Sequence, residues 1–180
     1  MSSVIIAGNT SGTITLDAPN VAGTTTLTLP TTSGTLVTSN AMPTGSVLQV
    51  VNATYGTQGS TSSTSFVDTS LTATITPTSS TSKILVFVSQ TGLYKSGVNS
   101  NIRLQLVRGS TAIVAIENEF INTGNTNTMS AATSTNYLDS PATTSATTYK
   151  TQIRSAGSAG TIYWCVTDSV ATITLMEIKA

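Results

Sequence analysis

The stretch of residues 12–40, GTITLDAPNVAGTTTLTLPTTSGTLVTSN, constrains the chain most, because it has the periodicity of β-strands and almost no material for a core. Its apolar side chains are Ile14 and Leu16 in residues 13–16, Leu27 and Leu29 in residues 24–29, and Leu36 and Val37 in residues 35–38. That spacing reads as short, half-buried strands, one side chain in two facing inward. Asp17, Pro19, Asn20, Gly23, Pro30 and Gly34 interrupt the runs where turns need a fixed φ, a positive φ or an Asx side chain bonded to nearby backbone.

A module of about forty residues is near the lower limit for burying enough surface to fold alone. Each run supplies only one or two large apolar side chains, and the single cysteine, Cys165, excludes an internal disulfide. Association must therefore complete the core. The expectation is that Ile14, Leu16, Leu27, Leu29, Leu36 and Val37 meet their counterparts from other copies around a shared axis, which also covers exposed strand edges.

Beyond this module, Ala41, Met42, Pro43, Thr44 and Gly45 break the alternation and read as a hinge, so the expected organisation is a stem over residues 1–40, a hinge over 41–45 and a larger domain over 46–180. Strand patterns are expected at residues 4–7, 47–53, 71–75, 83–89, 102–108, 111–117, 129–138, 147–154, 162–166 and 171–178. Residues 83–89, KILVFVS, are the most apolar run and read as a central strand covered on both faces. Residues 56–65, GTQGSTSSTS, read as a polar loop, and a shift of phase to Met176 and Ile178 suggests a bulge in the last strand.

Composition agrees. Ser and Thr make up about a third of the 180 residues and charged residues only 8%, and no stretch of a dozen residues keeps a 3.6-residue period. The fold class is therefore all-β: eight or nine strands in about 135 residues point to an antiparallel sandwich of jelly-roll type, with an immunoglobulin-like sandwich as the competitor. Seven basic and seven acidic residues leave no electrostatic footprint for nucleic acid or an anionic membrane. The N-terminus lacks a basic region and a long apolar run, so no signal peptide is expected and synthesis is expected in a cytoplasm.

Residues 14–38, ITLDAPNVAGTTTLTLPTTSGTLVT, resemble the Thr-rich module near the start of many bacteriophage virion appendage proteins, notably tail fibres of viruses of aquatic bacteria. The matching features are the Ala-Pro, Ala-Gly-Thr, Leu-Thr-Leu-Pro and Ser-Gly-Thr-Leu steps. The resemblance implies a virion protein, a tail location and recognition of the host surface. The larger domain is similar in pattern to trimeric knobs of the complement and tumour necrosis factor type, which implies a homotrimer.

The sequence contains no histidine, which removes the usual general base and the commonest metal ligand. Carboxylate chemistry remains open through Glu117 and Glu119, two residues apart on one expected strand face, with Asp139 approaching from a neighbouring loop or another copy, but solvated strand-end charges near the rim, or inter-subunit ion pairs, are the preferred reading. No catalytic residue, metal site or cofactor is expected. Recognition is expected on loops, where Tyr94, Lys95, Asn99 and Asn101, then Asn122, Asn125 and Asn127, then Tyr137 and Asp139 offer aromatic rings, a cation and amides suited to sugars or surface peptides. Trp164 is read as core or subunit interface rather than a sugar platform, and Cys165 as a buried small hydrophobe. The expected partners are further copies of the chain, other virion proteins of tail or capsid, and a host surface glycan or protein. Three functions stay in view: a short trimeric tail fibre, a capsid decoration or head-fibre protein, and a glycan-degrading spike.

Overall fold

The structure, a computed structural model, describes residues 3–7, 11, 13–17, 31, 42–98, 100–122, 128–156 and 160–180. The chain divides into two compact units, residues 1–38 and 39–180. In the first, strands β1 (Ser3–Ala7) and β2 (Thr13–Asp17) pair antiparallel, with Ser3 opposite Asp17 and Ala7 opposite Thr13. Successive side chains on a strand point to opposite faces. Ile5 and Ile6 are 63% and 52% exposed, so neither face of β1 buries its isoleucine. Leu27, Leu29, Leu36 and Val37 lie outside the described residues.

The second unit is a jelly-roll-like antiparallel sandwich. Its larger sheet joins β3 (Val47–Tyr55), β12 (Ala171–Ile178), β6 (Lys83–Ser96), β11 (Thr161–Trp164) and β4 (Gly59–Thr61) in that order, with β9 (Thr128–Asp139) on the other side of β6. The smaller sheet runs β5 (Val67–Ile75), β10 (Thr147–Ser155), β7 (Ile102–Arg108) and β8 (Thr111–Phe120). The Thr-rich alternation explains the layering. Leu71, Ala73 and Ile75 of β5 are buried while Thr72 and Thr74 face outward, and β-branched threonine suits the wetted side of a pleated surface.

The core lies between the sheets, with Ile84, Val86, Leu93, Ile162, Ile173 and Leu175 facing Leu71, Ile102, Leu104, Leu106, Tyr149 and Ile153. Side-chain hydrogen bonds cross this layer, while the buried Gln90 Nε2 has no hydrogen-bond partner among the described residues. The Trp164 indole N–H donates to the Thr69 carbonyl at 2.9 Å, and the Thr151 hydroxyl donates to the Gln90 side-chain oxygen at 3.1 Å. Gly59 makes room for the indole: a Cβ there would meet Trp164 Cζ2 at 2.2 Å. Cys165 is buried with its Sγ 3.3 Å from the Tyr55 carbonyl, and burial raises its thiol pKa.

The structure departs from the sequence reading in three places. Residues 59–61, read as loop, form β4 because they pair with β11, Ser60 opposite Tyr163. That brings the strands of this unit among the described residues to ten, β3 to β12, rather than eight or nine. The apolar run of β6 is covered on one face only: Ile84, Val86 and Val88 are buried, whereas Phe87 is 41% exposed. In β12 the alternation runs unbroken to Glu177, which takes the inward position, and the register shift near Ile178 lies in its pairing with β3. Gly45, at the end of the expected hinge, and Ser46 after it bond to Lys179, the Gly45 N–H donating to Lys179 O at 2.8 Å and the Lys179 N–H to Ser46 O at 2.9 Å.

Candidate functional site

The distinctive surface of the sandwich starts from one extra residue in β6. Gln90 pairs with Thr133 and Leu93 with Ala131, so β6 advances three residues where β9 advances two. Gly92 absorbs this bulge at φ +59°, in the left-handed region that favours glycine. The bulge reverses the facing of the strand: before it the even-numbered residues are buried, and after it Leu93 and Lys95 are. Tyr94 is thereby turned to the outer face.

There Tyr94 stands in a row across four strands, Ser60 of β4, Tyr163 of β11, Tyr94 and Ser130 of β9. The two tyrosine rings are 5.5 Å apart between centroids and tilted by 60°. With Gln58, Ser130, Val166 and Thr167 they line an open depression of about 300 Å³. The wall from 165 to 168 is strained, since Cys165, Thr167 and Asp168 hold φ of 53°, 54° and 56°. It is fixed to the bulge: the Cys165 N–H donates to Thr91 O and the Val166 N–H to Gly92 O, both at 3.2 Å. A Cβ on Gly92 would meet Val166 N and Ser169 Cβ at 2.7 Å. Two other depressions, about 210 Å³ around Thr78, Ser82 and Lys179 and about 280 Å³ around Arg108, Pro141 and Thr147, have no aromatic lining.

Further along the same outer face, Val50, Met176, Leu85 and Leu138 form an apolar row across β3, β12, β6 and β9, with Phe87 beside it. Val50 is 55% exposed and Leu138 48%. The large sheet thus carries an aliphatic end and a tyrosine end.

The residues singled out from sequence fall into separate places. Tyr94 and Lys95 belong to β6 rather than to a loop, which the bulge explains, and Tyr137 and Asp139 belong to β9. Lys95 is fully buried and its Nζ donates to Ser100 O at 3.1 Å. Asn101 is half-buried and Asn122 exposed, while Asn99, Asn125 and Asn127 lie outside the described residues. Tyr163, Gln58 and Thr167 were not among the sequence candidates. Tyr163 sits beside Trp164 in a strand that reads as core, and its outward direction follows only from the pairing.

Asp139 is drawn inward to join the two sheets. Arg108 Nη1 donates to its two carboxylate oxygens at 2.8 and 2.7 Å, and the Tyr149 hydroxyl donates to Oδ2 at 2.6 Å. Burial, reinforced by the adjacent carboxylate, pushes the Tyr149 phenol above its ordinary range, and the bond to Asp139 raises Arg108 further. Glu117 accepts from the Thr133 hydroxyl at 2.7 Å, and Glu119 lies 3.9 Å from Arg103. In the same row of the large sheet, across Ile84 from Asp139, the buried Glu177 accepts from the Gln49 amide at 2.6 Å and from the Thr78 N–H and hydroxyl at 2.8 and 2.7 Å. Burial alone would raise its carboxyl pKa, but these bonds outweigh it and hold the pKa below its ordinary value. Among the described residues no three His, Cys, Asp or Glu side chains gather as a metal site.

No family model matches the chain, and no curated protein matches it. Among solved structures it is similar to a chain in the structure of the infectious bursal disease virus Gx strain, with a TM-score of 0.44 and 15% identity. The match covers 97% of this chain and 40% of that one, so the chain spans well under half of the length of its structural neighbour.

Proposed function

We propose that the chain is a non-enzymatic structural protein of a virion, a short homotrimeric tail fibre that attaches the particle to the host cell surface. The observation that carries this reading is the β1 and β2 pair, whose Ile5 and Ile6 stay 63% and 52% exposed on opposite faces. A lone two-stranded pair is marginal in water, and large exposed side chains on both faces call for neighbours. The Thr-rich module resemblance supplies the kind of assembly. A rigid sandwich carrying few charges suits a knob, and three knobs per fibre convert weak contacts into firm attachment through effective concentration.

Light scattering of the purified chain tests the reading. A mass three times that of the 18.4 kDa monomer is expected, falling to the monomer in the Ile5→Ser, Ile6→Ser double variant. A monomer at micromolar concentration for the unaltered chain overturns it. Copy number per particle then separates a fibre from a shell decoration, since decoration follows the number of capsomers.

A further inference from the structure

We propose that the depression floored by Tyr94 and Tyr163 binds the face of a neutral sugar ring. The assignment rests on the attachment reading for its biological setting, but its chemistry stands on the site. Two partly exposed tyrosine rings offer apolar π-faces to the C–H groups of a pyranose. The Gln58 amide and the Ser130 and Thr167 hydroxyls supply both donors and acceptors, which suits the mixed hydrogen bonding of sugar hydroxyls. None of the six lining residues carries a charge and the one charged residue of the wall, Asp168, is an exposed carboxylate, so a neutral sugar fits better than a sialylated or phosphorylated one. A volume of about 300 Å³ is at the lower end for small-ligand clefts and accommodates one or two rings rather than a long chain.

The wall adds a second, independent observation. Three of the six described non-glycine residues with positive φ, Cys165, Thr167 and Asp168, fall in this one segment. Strained backbone persists where its surroundings enforce it, and such segments cluster at binding sites. Here the bulge of β6 enforces it through the bonds from Cys165 and Val166 to Thr91 and Gly92. The site is therefore held ready before a ligand arrives, and a preorganised wall reduces the ordering cost of binding.

Ligand-observed saturation-transfer NMR on the full chain, with maltohexaose, cellohexaose and mannohexaose as neutral probes and sialyllactose as the charged one, tests this. Transfer to at least one neutral probe is expected, with affinity reduced roughly tenfold in Tyr94→Ala and in Tyr163→Ala and kept within about threefold in Tyr94→Phe. Gln58→Ala, at an exposed position, weakens binding without touching the core, and thermal melting verifies that each variant is folded. If Tyr163→Ala does not fold, Tyr163→Leu keeps apolar area while removing the π-face, and the same loss is expected. Transfer to none of the neutral probes, equal transfer to sialyllactose, or transfer that survives loss of both rings overturns the site. A trimer that binds no probe removes this inference and leaves the fibre reading standing; a monomer that binds through both tyrosines does the reverse.

Discussion

On its inner face the large sheet buries Ile84, Val86, Ile173 and Leu175 completely, whereas its outer face leaves Phe87 41% and Leu138 48% exposed. Both faces contain apolar side chains, so hydrophobicity alone does not tell them apart. What differs is the opposing layer: the inner residues meet the second sheet, and among the described residues no further sheet covers the outer ones. Folding free energy therefore concentrates on one face. The other adds little to it.

Paired truncations on β12 test that contrast with the largest effect. Ile173→Ala should cost about 3 kcal/mol through lost burial and a residual cavity, read as a lower midpoint in urea unfolding, while Met176→Ala on the outer side should cost about 1 kcal/mol or less. Equal losses would mean that the outer row contributes to the core as well. The second test acts on the junction between the faces. Gly92→Ala places a Cβ 2.7 Å from Val166 N at a φ of +59°, and a destabilisation of about 2 kcal/mol is expected. Hydrogen exchange at the Cys165 and Val166 amides should accelerate more than at β5, because those amides bond to the bulge. Uniform acceleration would show that the wall is not held locally.

The smallest effect concerns acid. Because the folded Glu177 carboxyl titrates below its ordinary value of 4.5, the unfolded chain binds this proton more readily. Its contribution is present above that value and is lost as pH falls through the lower folded value. Urea midpoints measured from neutral pH downward should show a shallower acid limb in Glu177→Gln than in the unaltered chain. Parallel limbs would assign the acid sensitivity to other carboxylates, Asp68 among them, whose pKa is also lowered: burial acts to raise it, and its bonds to Lys150 and Gln152 prevail.

Much of the sandwich was legible because its strands alternate cleanly, as in Leu71, Ala73 and Ile75 or in Ile102, Leu104 and Leu106. Three features were not. The outer Leu85 and Phe87 are apolar too, so the alternation of β6 is hidden in a continuous run. The polar β4 has no periodicity of its own and exists through its pairing with β11. The bulge at Gly92 changes which residues face outward without leaving a break in hydrophobicity, and the tyrosine depression depends on it. Asp139 looked like a surface carboxylate because its partners, Arg108 and Tyr149, come from two strands of the opposite sheet.

The indole of Trp164 donates from one sheet to the Thr69 carbonyl of the other, over the space left by Gly59. It is the only tryptophan in the chain. Its fluorescence is thus a native gauge of the gap between the layers: emission stays blue while they are closed and moves to the red as soon as water enters between them. Unfolding of the sandwich can be followed optically at this position with no label attached and no contribution from another indole.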